Sequence, residues 1–117
     1  MSKNVNAPGH LSSSESLPLS SIGIRNLKAW FDELVTQNQQ FRLWEIADMY
    51  GLSSARIRNW QNCMNQRIQS DSVKALCRST GMNRLELDIF LNSAKRKSSD
   101  INAVIQKMRL NQLEITH

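Results

Sequence analysis

From Ile24 onward the apolar positions of this chain recur with helical spacing. Leu27, Trp30, Phe31, Leu34 and Val35 fall at i, i+3, i+4, i+7 and i+8, which predicts an amphipathic helix over about 22–36. The polar run TQNQQ at 36–40 is a connection, and Ile46, Ala47 and Tyr50 mark a second helix over about 42–50. Ile57 and Trp60 mark a third, over about 54–65. After a polar loop, Ser70 or Asp71 caps a short helix that carries Val73, Leu76 and Cys77 and ends at Gly81. Met82 and Asn83 lead into a fifth helix with Leu87, Phe90, Leu91 and Ala94 on one side. Lys95, Arg96 and Lys97 follow at its C-terminal end, where the helix dipole favours positive charge. Ser98-Ser99-Asp100 breaks and caps again, and a last helix over about 100–114 shows Ile101, Val104, Ile105 and Met108 on one stripe. Residues 1–20 hold both prolines, are rich in Ser and Asn and lack periodicity, so they read as a flexible tail. The expected organisation is a tail at 1–20, a domain at 21–97 and a C-terminal amphipathic helix at 98–117. No stretch alternates β-branched with polar residues, so the expected fold class is all-α.

The segment LWEIADMYGLSSARIRNWQN at 43–62 is the most constrained part of the pattern. Two helices that cross steeply touch at one point, which asks for a small residue there, and Ala47 supplies it. The tight turn that leaves the first helix needs a left-handed backbone, which Gly51 adopts without a Cβ penalty. Leu52 is expected to drop into the core, and Ser53 or Ser54 to cap the next helix. This is the arrangement of a helix-turn-helix; the plainer alternative is a helical hairpin that only packs.

Charge changes the picture at the same point. The chain carries a formal +5, but residues 1–50 hold four basic and five acidic side chains whereas 51–117 hold eleven and five, so the two parts carry −1 and +6. A positive field that begins at the third helix suits a surface that meets phosphate, although a solvated basic face would have the same composition. The two cysteines, Cys63 and Cys77, have no CxxC partner, and the two histidines stand at positions 10 and 117, so no zinc site is expected and reduced thiols are preferred over a disulfide. No cofactor is expected. No apolar run approaches the ~20 residues of a membrane span, nor is there an apolar signal segment, and the expected setting is cytoplasmic and nucleoid-associated.

With the helices in this order, residues 43–91 resemble the Cro/repressor (XRE-like) helix-turn-helix superfamily of phage, plasmid and bacterial regulators. The residues that carry the resemblance are IADMYGLS at 46–53, IRNW at 57–60, SDSVKALCRSTGM at 70–82 and RLELDIFL at 84–91. The resemblance implies a five-helix lambda-repressor-like domain, here with an extra C-terminal helix, that binds operator DNA as a dimer. Leu43 stands where that family commonly has a Gln that anchors the motif to a phosphate. A homeodomain is the runner-up for the first three helices, on LKAWF at 27–31 and RIRNW at 56–60.

If the third helix docks in the major groove, Ile57 and Trp60 point inward and Ser54, Ala55, Arg56, Arg58, Asn59 and Asn62 face the bases. Arg can pair two donors with guanine, Asn can pair with adenine, and the Ala methyl can meet that of thymine. Arg42 and Arg67 are candidates for phosphate contact. Trp44 is expected to pack against the first helix, the alternative being an outward indole, as is usual at the equivalent motif position of the family, that pads the sugar-phosphate backbone or a partner; Trp30 and Trp60 are expected in the core. A homodimer is expected to form through Ile101, Val104, Ile105 and Met108, because a helix of ~15 residues must bury such a stripe somewhere; docking on its own domain and pairing with a foreign partner are the alternatives. The expected function is sequence-specific double-stranded DNA binding by a repressor-like transcriptional regulator. The other class to weigh is a protein-binding adaptor or antitoxin that uses a terminal segment to bind a partner protein. An enzyme is not expected, since the sequence shows no internal histidine, no glycine-rich phosphate loop and no recognisable pair of catalytic acids.

Overall fold

Local chemistry fixes most of the element boundaries in the computed structural model, which describes residues 15–115. Helix α1 (Ser21–Thr36) starts where the Ser20 hydroxyl accepts a hydrogen bond from the Gly23 N–H at 3.0 Å, satisfying one of the four donors that a helix start leaves orphaned. Helices α2 (Leu43–Met49) and α3 (Ser54–Gln61) follow, then α4 (Ser70–Thr80), α5 (Arg84–Asn92) and α6 (Ser98–Ile115). Gly81, at φ 77°, ends α4 in a left-handed cap. Two residues later Asn83 opens α5 with a reciprocal capping box: its side chain accepts from the Glu86 N–H, and the Glu86 carboxylate accepts from the Asn83 N–H.

Helix α1 is the axis of the core. Leu27, Trp30, Phe31 and Leu34 are buried, and α3, α5 and α6 all pack on it. An aromatic chain joins these elements: Trp30 meets the edge of Phe90 from α5, and Phe31 meets Trp60 from α3 at 4.9 Å between centroids. Helix α4 closes against α6 and α5 through Val73 and Leu76. Two polar side chains hold α5 to α1. Asn26 is buried, donates to the carbonyls of Leu91 and Ala94, and accepts from the Arg96 N–H. Asn92 donates to Pro18 O and to the Asp88 carboxylate while its amide oxygen accepts from the Ser20 N–H and hydroxyl.

The described residues are mostly helical, as expected, with one addition. Leu17–Pro18 (β1) pairs antiparallel with Arg67–Ile68 (β2), Leu17 opposite Ile68, and both of these apolar side chains are fully buried. Arg84 also donates to the carbonyls of Glu15 and Ser16. The flexible tail expected over 1–20 therefore does not reach position 20, because Leu17 has a core to enter; residues 1–14 of that expectation lie outside the described residues. The third helix is shorter than expected, closing at Gln61. Asn62 caps it and Cys63 reverses the backbone at φ 57°.

The C-terminal stripe is the larger correction. Ile101, Ile105 and Met108 are buried in the domain's own core, Val104 packs against it, and the Trp30 indole N–H lies 3.3 Å from the Met108 sulfur. The surface expected to pair two chains is occupied by α1 and α4 of the same chain. Periodicity required that stripe to be covered but held no information on which surface covers it.

Candidate nucleic-acid interface

Helix α2 is short and its inward side is made by Ile46, Ala47 and Tyr50. At its start the Glu45 carboxylate accepts from the Arg42 N–H at 2.8 Å, so Arg42 forms the cap through its backbone and its guanidinium stays in solvent. At its end the Ala47 carbonyl accepts from both Tyr50 and Leu52, and Gly51 sits between them at φ 71°. The next side chain, Leu52, is half-buried against the core. Ser53 then caps α3, its hydroxyl accepting from the Arg56 N–H. The turn thus forms as the residues predicted.

Helix α3 seals one side into the core with Ile57 and Trp60. Of the six candidate base readers, Ala55, Arg58 and Asn62 are exposed, and Ser54 and Asn59 are half-buried. The Arg58 side chain has no hydrogen-bond or ion-pair partner among the described residues.

Arg56 differs. Its Nη1 donates to the Asp71 carboxylate at 2.6 Å and to the Ser72 hydroxyl at 2.8 Å, tying the start of α3 to the start of α4. That guanidinium holds the Asp71 carboxyl below its ordinary range. Arg56 is therefore a clamp between two helices rather than an unengaged donor. Its partner lies 15 residues away in sequence, beyond any helical spacing that could have signalled the pair. Arg67, in β2, is exposed and donates to the Ser16 hydroxyl at 2.9 Å, and Arg42 is exposed with an unengaged guanidinium among the described residues.

Trp44 does not pack on α1. It is 58% exposed, because it stands two residues, about 200° of helix rotation, from the buried Ile46. Phe41, in the preceding connection, is exposed as well. The helical wheel of α2 already carried this signal. Trp30 and Trp60 are in the core as expected.

Other chemistry is sparse. Cys63 is exposed and Cys77 half-buried, both as free thiols, and burial pushes the Cys77 thiol up. Among the described residues no group of His, Cys, Asp and Glu could hold a metal ion, and no helix is long and apolar enough to cross a membrane. Comparison with known proteins finds no match to this chain among family models, curated proteins or solved structures.

Proposed function

We propose that this protein is a sequence-specific double-stranded DNA-binding regulator that reads the major groove with α3, on a Cro/repressor-type helix-turn-helix, and is not an enzyme. The observation that carries the reading is the division of α3. Ile57 and Trp60 anchor one side, while the other side offers Ala55 and an Arg58 guanidinium that no group among the described residues engages, with the exposed Asn62 following as the C-cap. A donor pair and a methyl on the helix, with an amide at its C-cap, match the three kinds of group that base edges present in the major groove. Gly51, at φ 71°, stands in the turn that leads from α2 into α3. Arg42 and Arg67, both exposed, are the proposed contacts to the phosphate backbone.

In this reading Arg56 contributes by orienting α3 and not by reading bases. The α6 stripe takes no part in assembly, so any pairing of two chains on an operator uses another surface. Repeated selection of bound fragments from a random duplex library tests the proposal. Enrichment of one short motif supports it, and a pool that stays random after several rounds contradicts it.

A further inference from the structure

A second basic feature lies on α1 between Ile22 and Ala29 and on the connection between α5 and α6. There Ile22, Arg25, Asn26, Ala29, Lys95 and Arg96 line a small open cavity of about 140 Å³. Three of the six are cations, none is an acid, and Lys97 follows directly. The ion pairs within the described residues are Lys28–Asp32 and Arg56–Asp71, so none of these four side chains pairs with a carboxylate, while the Asp100 carboxylate accepts from the Lys97 backbone N–H at 3.2 Å. Arg25 and Lys95 are exposed.

The cavity is rigid where it matters. The buried Asn26 amide donates to Leu91 O and Ala94 O at 2.8 Å each, and its oxygen accepts from the Arg96 N–H at 2.9 Å. This fixes the connection 94–96 onto α1. The Arg96 side chain is held in turn: Nε donates to Phe90 O at 2.7 Å, Nη2 donates to Ile89 O and the Ser93 hydroxyl, and the group lies over the Phe90 ring at 5.2 Å. Its Nη1 is left with no partner among the described residues. Every acceptor that meets this guanidinium is neutral, so no carboxylate pairs with it at contact, while Glu33 lines an adjoining cavity with Arg96 and Ala29.

The geometry points to a binding site for a phosphate group, held by Arg25, Lys95 and the free edge of Arg96. Charge-assisted N–H···O bonds to an oxyanion are stronger than neutral ones, and the Arg96 guanidinium, already fixed in position, loses little freedom on binding. A water claims about 30 Å³ of liquid volume, so the cavity has room for several waters or for one group of phosphate size. The site stands independently of the DNA-binding reading. The phosphate could belong to a nucleic-acid backbone or to a free phosphate or phosphomonoester, and the recognition chemistry is the same.

The test is an amide-resolved NMR titration of the full chain with inorganic phosphate, with chloride balancing ionic strength. The expected result is that the Lys95 and Arg96 amides and the Arg25 side-chain N–H move together along one saturating curve, with roughly millimolar affinity. The double variant Arg25→Gln/Lys95→Gln changes exposed side chains, so its dispersion stays native, and it weakens the binding by about tenfold, a change equivalent to 1.4 kcal/mol. Shifts that rise linearly with phosphate, or a saturating curve that survives the double substitution, overturn the proposal. A second titration in the presence of a saturating short DNA duplex identifies the source. Loss of the phosphate response assigns the site to backbone phosphate, and an unchanged response assigns it to a free phosphate or phosphomonoester.

Discussion

Replacing Gly23 with Ala should destabilise the fold although it improves the intrinsic helix preference of α1. A Cβ built at position 23 would lie 2.0 Å from the Asn92 amide oxygen, and 3.3 Å from a methyl of Leu19. The Leu19 contact can relax by a small rotation. Asn92 cannot move without cost, because its side chain accepts two hydrogen bonds from Ser20 and donates one each to Pro18 O and Asp88. At about 1 kcal/mol net for each bond, displacement of the amide loses about 2–4 kcal/mol. Ala in place of Gly within a helix returns about 1 kcal/mol. The expected net cost is about 1–3 kcal/mol. A double-mutant cycle in urea isolates the mechanism: in an Asn92→Ala background the obstacle is gone, and Gly23→Ala should be neutral or stabilising by up to about 1 kcal/mol. If Gly23→Ala costs the same in both backgrounds, the contact between α1 and the end of α5 is not what this structure describes.

Three further outcomes follow from other parts of the fold. Gly51→Val should cost about 1–3 kcal/mol in thermal or urea unfolding from backbone strain alone, since the nearest atoms to an added Cβ are at ordinary contact, 3.6 and 3.7 Å, while φ is 71°; Gly51→Asn, which tolerates that backbone better, should cost less. Truncation after Ser99 removes Ile101, Ile105 and Met108 from the core; at about 1.5–3 kcal/mol for each buried side chain the loss rivals the total stability of a small domain, so circular dichroism should show no cooperative transition. The Asp71 carboxyl is held below its ordinary value by Arg56, so its contribution to stability is present above the unfolded-state pKa, near 4, and is lost as pH falls through the lower folded value. Urea midpoints measured across that window should fall slightly less for Asp71→Asn than for the parent, the effect being small because the carboxylate is exposed.

The helices were legible in the sequence because each must bury a stripe, and stripes at 3.6-residue spacing leave a record in the order of residues. The turn was legible for a different reason: Gly51 and Ser53 answer local backbone demands, a positive φ and an orphaned N–H, that no distant element can change. What stayed hidden was pairing over distance. The β1–β2 ladder is two residues long on each side, too short for any alternation to register. Asn26 and Asn92 look like ordinary polar helix residues until α1 and α5 meet, and Arg56 looks like an outward base reader until Asp71 arrives from α4. The α6 stripe shows the same limit. Its apolar face was plain, and whether it would meet a second chain or its own core was not written in its spacing.

The most direct test of the central claim compares Arg58→Ala with Arg56→Ala on an enriched duplex and on a random one, by fluorescence anisotropy at fixed salt. If Arg58 makes a bidentate base contact, its loss should cost about 1–3 kcal/mol on the preferred duplex, roughly 5- to 150-fold in affinity, with little change on the random one. Arg56→Ala should lower the urea midpoint, because it releases Asp71 and Ser72, and should leave the ratio between the two duplexes closer to that of the parent. A parent chain that binds both duplexes equally, or an Arg58→Ala variant whose preference between them is unchanged, would contradict sequence reading by α3.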